Sequence, residues 1–453
     1  MVQSFLSSAI QLWYAFNWTS SKRHFVIQET HRKYGDVVRI GPNELSFSSV
    51  ESYKDIYGYS TKGKKPFLKS TWYANDDSGP PVVLGTRDPV DHRGQRQSLS
   101  HAFSAKSLRD QEVVVHKYVD LFIEQIGQLG GPGTAGINIP EAFNWLTFDI
   151  IGDLAFGESF AVVATGKINF WVSIIFDGTW FGLLVGLRRR VPLMNMILPF
   201  IVPKDAGKNH MLHQKLTAEE VAKRIEQKDT LARSDLFHHI LKKGDFTQEG
   251  PESQASTLIV AGSETTATFL SGATYFPLKN PDCVSKLQQE VRDAFVSIAE
   301  ITGDSTNALT CLRGVIEEAL RLCPPAPFGL SRVSPGGVVA GHYVPAGTMV
   351  STDHWTTMHD PRYWHEPDSF HPERWIGDGF GDTKEASQPF SLGPRACIGI
   401  NLAYIEARVI LSKMAWQYDW ELVTQDADWY RDSRLCVLWK KPTTFVCFHS
   451  RET

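Results

Sequence analysis

The residues best placed to do chemistry lie in Phe390-Ser391-Leu392-Gly393-Pro394-Arg395-Ala396-Cys397-Ile398-Gly399, where a Gly/Pro loop runs into an apolar periodicity at Ile398, Leu402, Ile405 and Val409. This spacing predicts Cys397 at a helix N-terminus, where backbone N–H groups and the positive dipole end favour a thiolate. Arg395 adds positive charge two residues earlier, and Gly393 and Gly399 would let the backbone approach a flat partner. No second Cys or His lies in range to complete a zinc site. A lone thiolate of this kind suits an iron already held in plane by a macrocycle. The plain alternative, a buried structural cysteine, describes the other five: Cys283, Cys311, Cys323, Cys436 and Cys447.

Other groups stand out by type and spacing. Glu264-Thr265 falls inside an apolar helical stretch, Thr257 to Leu270, where a carboxylate and a hydroxyl are costly to bury. Thr265 can bond back to the Ala261 carbonyl and loosen the helix beside Gly262. Glu318 and Arg321 share a face of a helix ended by Pro324-Pro325, and His92 and Arg96 share one after Pro89. His359, His365 and His371 recur every six residues, but Pro361, Pro367 and Pro372 break any helix that could align them. HExxH, Walker A and GxSxG patterns are missing. No GxGxxG follows a strand, so electrons are expected from a separate protein.

The cysteine loop resembles the haem-binding segment of the cytochrome P-450 monooxygenases, Phe-x-x-Gly-x-Arg-x-Cys-x-Gly, at every fixed position. Ala261-Gly262-Ser263-Glu264-Thr265-Thr266, Glu318-Ala319-Leu320-Arg321 and Pro372-Glu373-Arg374-Trp375 resemble the family's other signatures, in family order. The similarity has the texture of fungal secondary-metabolite members, as in Phe148-Asp149-Ile150-Ile151-Gly152-Asp153-Leu154-Ala155-Phe156-Gly157.

The resemblance implies haem b, ligated by Cys397 and lined by Ala261, Phe390, Gly393 and Gly399. It implies His92 (more often Trp in the family), Arg96, Arg332 and Arg395 on the two propionates. Glu264 and Thr265 would form a proton relay, and Glu318, Arg321 and Arg374 a structural network fixing the cysteine loop. Electrons would come from NADPH through NADPH-cytochrome P-450 reductase. The implied activity is hydroxylation, epoxidation or coupling of an apolar secondary metabolite such as a terpenoid, polyketide or indole alkaloid. Trp72, Phe176, Trp180, Leu258, Phe328 and Leu435 are the expected substrate-pocket residues. Alternatives are a haem-thiolate isomerase or peroxide-driven enzyme, and a non-catalytic haem- or ligand-binding protein. Pro277 departs from the family pattern and is expected to end or kink the oxygen-activating helix early.

The elements that must position these groups are mostly helical. Apolar periodicity predicts helices over Ser104–Gly127, Ala142–Phe156, Leu216–Glu226, Glu252–Leu278, Cys283–Ala299 and Leu309–Leu322. β-like runs fall at Val37–Ile40, Leu45–Phe47 and Val338–Val350. The expected fold is mainly α with a small β portion, the cytochrome P-450 fold, with haem between a distal oxygen-activating helix and a proximal cysteine-loop helix. Residues 1–22 are read as a residual N-terminal segment and 23–453 as a single catalytic domain.

Across 453 residues, 46 Lys+Arg against 50 Asp+Glu leave a net charge of −4, which argues against a nucleic-acid partner. No run of 18 apolar residues exists, and Phe5–Phe16 is too short for a span. The sequon Asn17-Trp18-Thr19 is therefore expected to be unused. Residues 191–203 follow Arg188-Arg189-Arg190 and read equally as a membrane-surface contact or as core. Fungal members of the resembled family carry an N-terminal anchor that is missing ahead of His24–Tyr34. The expectation is an anchor removed from a monomer on the cytoplasmic face of the endoplasmic reticulum membrane, or otherwise a cytoplasmic protein.

Overall fold

The computed structural model describes residues 2–60, 63–73, 82–167, 206–226 and 249–451, with isolated residues between 170 and 196 and Leu236. In chain order the helices are α1 (Val2–Thr19), α2 (Arg23–Tyr34), α3 (Val50–Tyr57), α4 (Pro89–Ser100), α5 (Ala105–Leu129), α6 (Ile139–Phe156), α7 (Val162–Thr165), α8 (Ala206–Glu226), α9 (Glu249–Leu278), α10 (Pro281–Ala294), α11 (Thr310–Leu322), α12 (His354–Met358), α13 (Ile400–Gln417) and α14 (Trp429–Asp432). A five-stranded sheet takes the order β1 (Val37–Gly41), β2 (Glu44–Phe47), β8 (Met349–Thr352), β5 (Arg332–Val333), β3 (Leu68–Lys69). All its pairings are antiparallel except β2 with β8. A second sheet joins β4 (Ile137–Asn138), β12 (Phe445–Ser450) and β9 (Tyr418–Leu422). The β6 (Gly337–Val339) and β7 (His342–Val344) strands pair with each other, as do β10 (Arg434–Leu435) and β11 (Trp439–Lys440).

The main core lies between α5, α6, α9, α11 and α13. Helix α6 is buried along almost its whole length, and one of its buried acids is spent on local structure. Asp149 accepts from the backbone N–H groups of Phe160 (3.1 Å) and Val163 (2.8 Å), fixing the turn into α7. Gly157 closes α6 in the left-handed region at φ 78°. A Cβ on Gly262 of α9 would sit 2.8 Å from Ile151, so the glycine permits the close crossing of α6 and α9.

Three sequence expectations need correction. Pro277 does not end α9 early: the helix runs through it to Leu278, and 12 residues of rise put the proline about 18 Å beyond Thr265. Helix α10 stops at Ala294 rather than Ala299, because Phe295 turns extended and gives its carbonyl to Trp416 Nε1 at 3.0 Å. Helix α8 begins ten residues before Leu216, at Ala206. Its polar first half is held by His213, which accepts from Trp171 Nε1 and bonds Ser256 of α9, each at 2.8 Å.

Residues 1–22 contain an ordered helix. Tyr14 and Trp18 of α1 are buried with Ile27, Val38, Ile40 and Leu187. Asn17, within the sequon, is buried and donates to the Trp13 carbonyl at 2.7 Å. Among the described residues no helix is long and apolar enough to cross a membrane. Most of 191–203 lies outside the described residues.

Candidate active site

Cys397 sits in a tight loop between a 3-10 turn (Gly393–Arg395) and α13, three residues before the helix begins. The loop is closed by the Cys397 N–H donating to the Phe390 carbonyl at 2.8 Å, and Arg96 Nη1 reaches the Ala396 carbonyl at 2.6 Å. Burial pushes the Cys397 thiol up, against smaller downward pulls from the Gly399 N–H and the Arg96 charge. The sequence reading had Arg395 as the positive neighbour; that is corrected, because the Arg395 guanidinium turns to the carbonyls of Thr86 (2.6 Å) and Arg87 (2.9 Å). The thiol is solvent-accessible although protein surrounds most of it, so it faces an internal slot.

The two loop glycines divide by role. Gly393, at φ 69°, has space for no side chain because a Cβ would lie 2.1 Å from the Tyr57 carbonyl. Its lack of a side chain lets α3 pack against the loop. Around Gly399 the nearest atoms, from Phe103 and Cys397 itself, are 3.9 and 4.0 Å from a Cβ, so that side is open.

Helix α9 meets the same region. Midway along it Ala261 is exposed and Gly262 and Thr265 are half-buried, while Ser263, Glu264 and Thr266 are buried. An otherwise interior helix therefore presents one face to open space. Thr265 Oγ1 donates to the Ala261 carbonyl at 2.5 Å. Behind it Thr266 bonds Glu406 of α13, a fully buried acid whose pKa burial pushes up to about 8. That contact ties the hydroxyl-bearing helix to the helix that follows the cysteine.

Glu264 points away from this open face. Its Oε1 accepts from Lys441 Nζ at 2.6 Å and Thr268 Oγ1 at 3.2 Å, and Lys441 also reaches Asn144 Oδ1 at 3.2 Å. Both charged side chains are almost fully buried, and Glu264 Oε2 has no partner. Burial pushes the carboxyl upward and Lys441 only partly opposes it. Lys441 was missed from sequence: it carries no motif and lies 177 residues from its partner.

His92, Arg96, Arg332 and Arg395 converge, and the structure adds Lys69. His92, Lys69 and Arg332 are buried, and no ion pair joins any of the five to a carboxylate among the described residues. Burial first, then the charges of Arg395, Lys69, Arg96 and Arg332, push His92 down to about 4. Burial and Arg332, Arg395 and Arg96 push Lys69 down to about 6, and burial and Arg332 take Arg395 down to about 10. Asp88 alone pulls Arg395 the other way and is spent capping α4; five clustered basic groups with no ion-paired carboxylate among the described residues call for a bound anion.

The Glu318 network is complete. The carboxylate accepts from Arg321 Nη2 (2.7 Å) and Nε (2.9 Å), Arg374 Nε (3.0 Å), the His371 N–H (3.0 Å) and Trp375 Nε1 (2.9 Å). Arg321 also donates to the carbonyls of Met358 and Pro367, and Arg374 to Asp382 and the His365 carbonyl. Pinning of this kind fixes the long irregular stretch leading to the cysteine loop.

Of the described pocket candidates, Trp72, Phe328 and Leu435 lie in neighbouring clusters and Leu258 lies apart from them. Leu258 lies in the main core; Trp72 and Phe328 pack on Trp18 of α1, with ring centroids 5.0 and 5.8 Å away. Leu435 is buried with Trp355 and Trp439 beside Phe328. Phe176 and Trp180 lie outside the described residues. Among the described residues no group of His, Cys, Asp and Glu could hold a metal ion on its own.

An accessible interior thiol, an open helix face and a cation cluster lacking its anion fit a planar, dianionic cofactor bearing a metal that needs one thiolate: a haem. The chain belongs to the cytochrome P450 family, whose model matches residues 7–448, and is a monooxygenase of that family. It is 42% identical to cytochrome P450 monooxygenase BOA3 of Botryotinia fuckeliana, over 97% of this chain and 88% of the relative. It is 39% identical to cytochrome P450 monooxygenase poxC of Penicillium oxalicum, over 98% and 88%. In fold it is similar to the crystal structure of the cytochrome P450DA heme domain, with a TM-score of 0.74, 16% identity, and coverage of 90% of this chain and 87% of that one. The family implies a haem and a redox partner that supplies electrons.

Proposed function

We propose that this monooxygenase uses haem b and takes electrons from NADPH through a separate cytochrome P450 reductase to oxidise an apolar secondary metabolite of terpenoid, polyketide or indole type. The observation that carries the cofactor reading is the cation-rich cluster of His92, Arg96, Arg332 and Arg395, joined to no carboxylate by an ion pair among the described residues, together with the accessible thiol of Cys397. When bound, the haem supplies the redox-active iron at which dioxygen is reduced and split.

The chain's own residues do the rest. Cys397 would hold the iron through its thiolate, with the Gly399 N–H and the Arg96 charge favouring the anion. The three arginines and His92 hold the carboxylates at the cofactor's edge. The Thr265 hydroxyl, borne on the open face of α9, orients the group to be protonated. Glu264 is held back by Lys441 and passes protons once that contact loosens, its partnerless Oε2 being the oxygen free to carry them. Glu318, Arg321 and Arg374 hold the backbone that leads to the cysteine. The membrane surface of the endoplasmic reticulum, on its cytoplasmic face, is the site of action this reading favours.

The test is the reduced, CO-bound spectrum. The wild type should show the thiolate-type Soret band, and Cys397→Ala should lose it; the band persisting in the variant would refute the ligand assignment.

A further inference from the structure

Lys69 is the unassigned member of the cation cluster. It is the last residue of β3, paired in register with Arg332 of β5, and residues paired across strands project on the same face. Ser70 and Ser331 bond through both backbone and hydroxyls just beyond, which fixes the pairing. The Lys69 ammonium is buried over the Tyr73 ring, 4.6 Å from its centroid, and its one recorded acceptor is the neutral carbonyl of Leu84. Three N–H donors against a single neutral oxygen leave a buried charge under-satisfied.

The groups that face Lys69 are Arg332 from β5, Arg395 from the cysteine loop, Arg96 and His92 from α4, and the phenol of Tyr73. None is a carboxylate. Its own carbonyl accepts from Arg87 Nε at 2.9 Å, and Arg395 donates to the carbonyls of Thr86 and Arg87. Lys69 and Arg395 thus grip one short segment, 84–87, from two sides.

We propose that Lys69 is a fifth ligand for the haem carboxylates, binding a propionate while holding segment 84–87 to the rim of the slot. This rests on the haem b reading above. The charges of the three arginines disfavour a further positive charge beside them. Two arriving carboxylates contribute −2; the Lys69 amine then takes a proton from solvent, and the resulting ammonium donates to a carboxylate oxygen. The low value of about 6 agrees with a lysine placed for an anion it meets only on loading.

The experiment compares wild type, Lys69→Met and Lys69→Arg as haem-loaded full chains, with haem content fixed first by the pyridine haemochromogen spectrum. Two readouts are taken at pH 8: the rate of haem transfer to excess apomyoglobin, and the propionate-bending band in resonance Raman. Lys69→Met should release haem about ten- to a hundredfold faster, from the loss of one charge-assisted hydrogen bond, and should shift the band. Lys69→Arg should stay near wild type in both. An unmoved propionate band in Lys69→Met overturns the proposal whatever the release rate, since a lysine serving only the 84–87 segment would change release alone. Absence of haem b from the wild type would instead refute the cofactor reading, a distinct result.

Discussion

Glu318→Gln tests the structural network most sharply. The carboxylate and both guanidiniums of Arg321 and Arg374 have no exposed side-chain surface, and five donors converge on its two oxygens. Glutamine keeps the volume and one acceptor but removes the charge and turns an NH2 toward the arginines. Asp382 then stands as the remaining carboxylate against two buried cations. Breaking a buried pair by deleting one partner costs about 3–5 kcal/mol, whereas the exposed Glu29–Arg32 pair should be worth less than about 1 kcal/mol.

The assay is urea unfolding of the haem-loaded protein, followed by far-UV circular dichroism and the Soret band together, with Glu29→Gln as control. Although burial opposes it, Arg321 and Arg374 hold the Glu318 carboxyl below its ordinary 4.5. Its stabilisation is therefore fully present above that value and is lost as pH falls through the lower folded value. The gap between wild type and variant should hold steady from pH 8 to 5 and close below about 4.5. Burial also makes the gap insensitive to salt. A cost under about 1 kcal/mol, or one that 1 M salt abolishes, would refute the reasoning.

Three more outcomes are expected. Lys441→Met leaves the buried Glu264 carboxyl without its cation, so its pKa rises further and the pH profile of product formed per NADPH consumed should move upward; an unmoved profile removes Lys441 from control of that acid. Thr265→Ala should release more peroxide per electron pair with little change in fold, and unchanged coupling would exclude the hydroxyl from the relay. His24 is buried with both ring nitrogens unpartnered and, chiefly by burial, sits at about 3. Because the unfolded chain takes the proton first, its effect is absent above 6.5 and grows as pH falls. At pH 5 that is 1.5 units, or about 2 kcal/mol, which His24→Phe should recover in acid unfolding, and equal acid sensitivity in both proteins would disprove it.

What could be read from sequence was local. The cysteine loop, the Glu318–Arg321 spacing and the strands at Val37 and Leu45 are written in consecutive residues. Arg374 and Arg332 came through family resemblance, not through any pattern of their own. Lys441 and Lys69 stayed hidden because a single lysine has no spacing signature, and each acquires meaning only from a fold that brings distant residues together. Pro277 misled because a proline in the final turn forfeits an N–H without displacing the helix. Gly393 has a role that no inspection of the loop alone would show, the close approach of the Tyr57 carbonyl of α3. The engagement of Trp72 and Phe328 by Trp18 has the same origin, since the periodicity of α1 gives no sign of docking.

That docking also bears on how the molecule is made. Trp18 rests on Phe328, the Ser21 carbonyl accepts from the Leu435 N–H at 2.9 Å, and Lys22 Nζ donates to the carbonyls of Tyr430, Arg431 and Ser433. A ribosome adding about 5–20 residues per second needs roughly 20–80 s to travel from Lys22 to Ser433. For that interval Ile27, Val38, Ile40 and Trp72 can cover Tyr14 and Trp18 only in part, and the α1 seat cannot be completed. The seat of α1 is thus closed by contacts more than 400 residues away in sequence, and it becomes complete only when the C-terminal segment arrives.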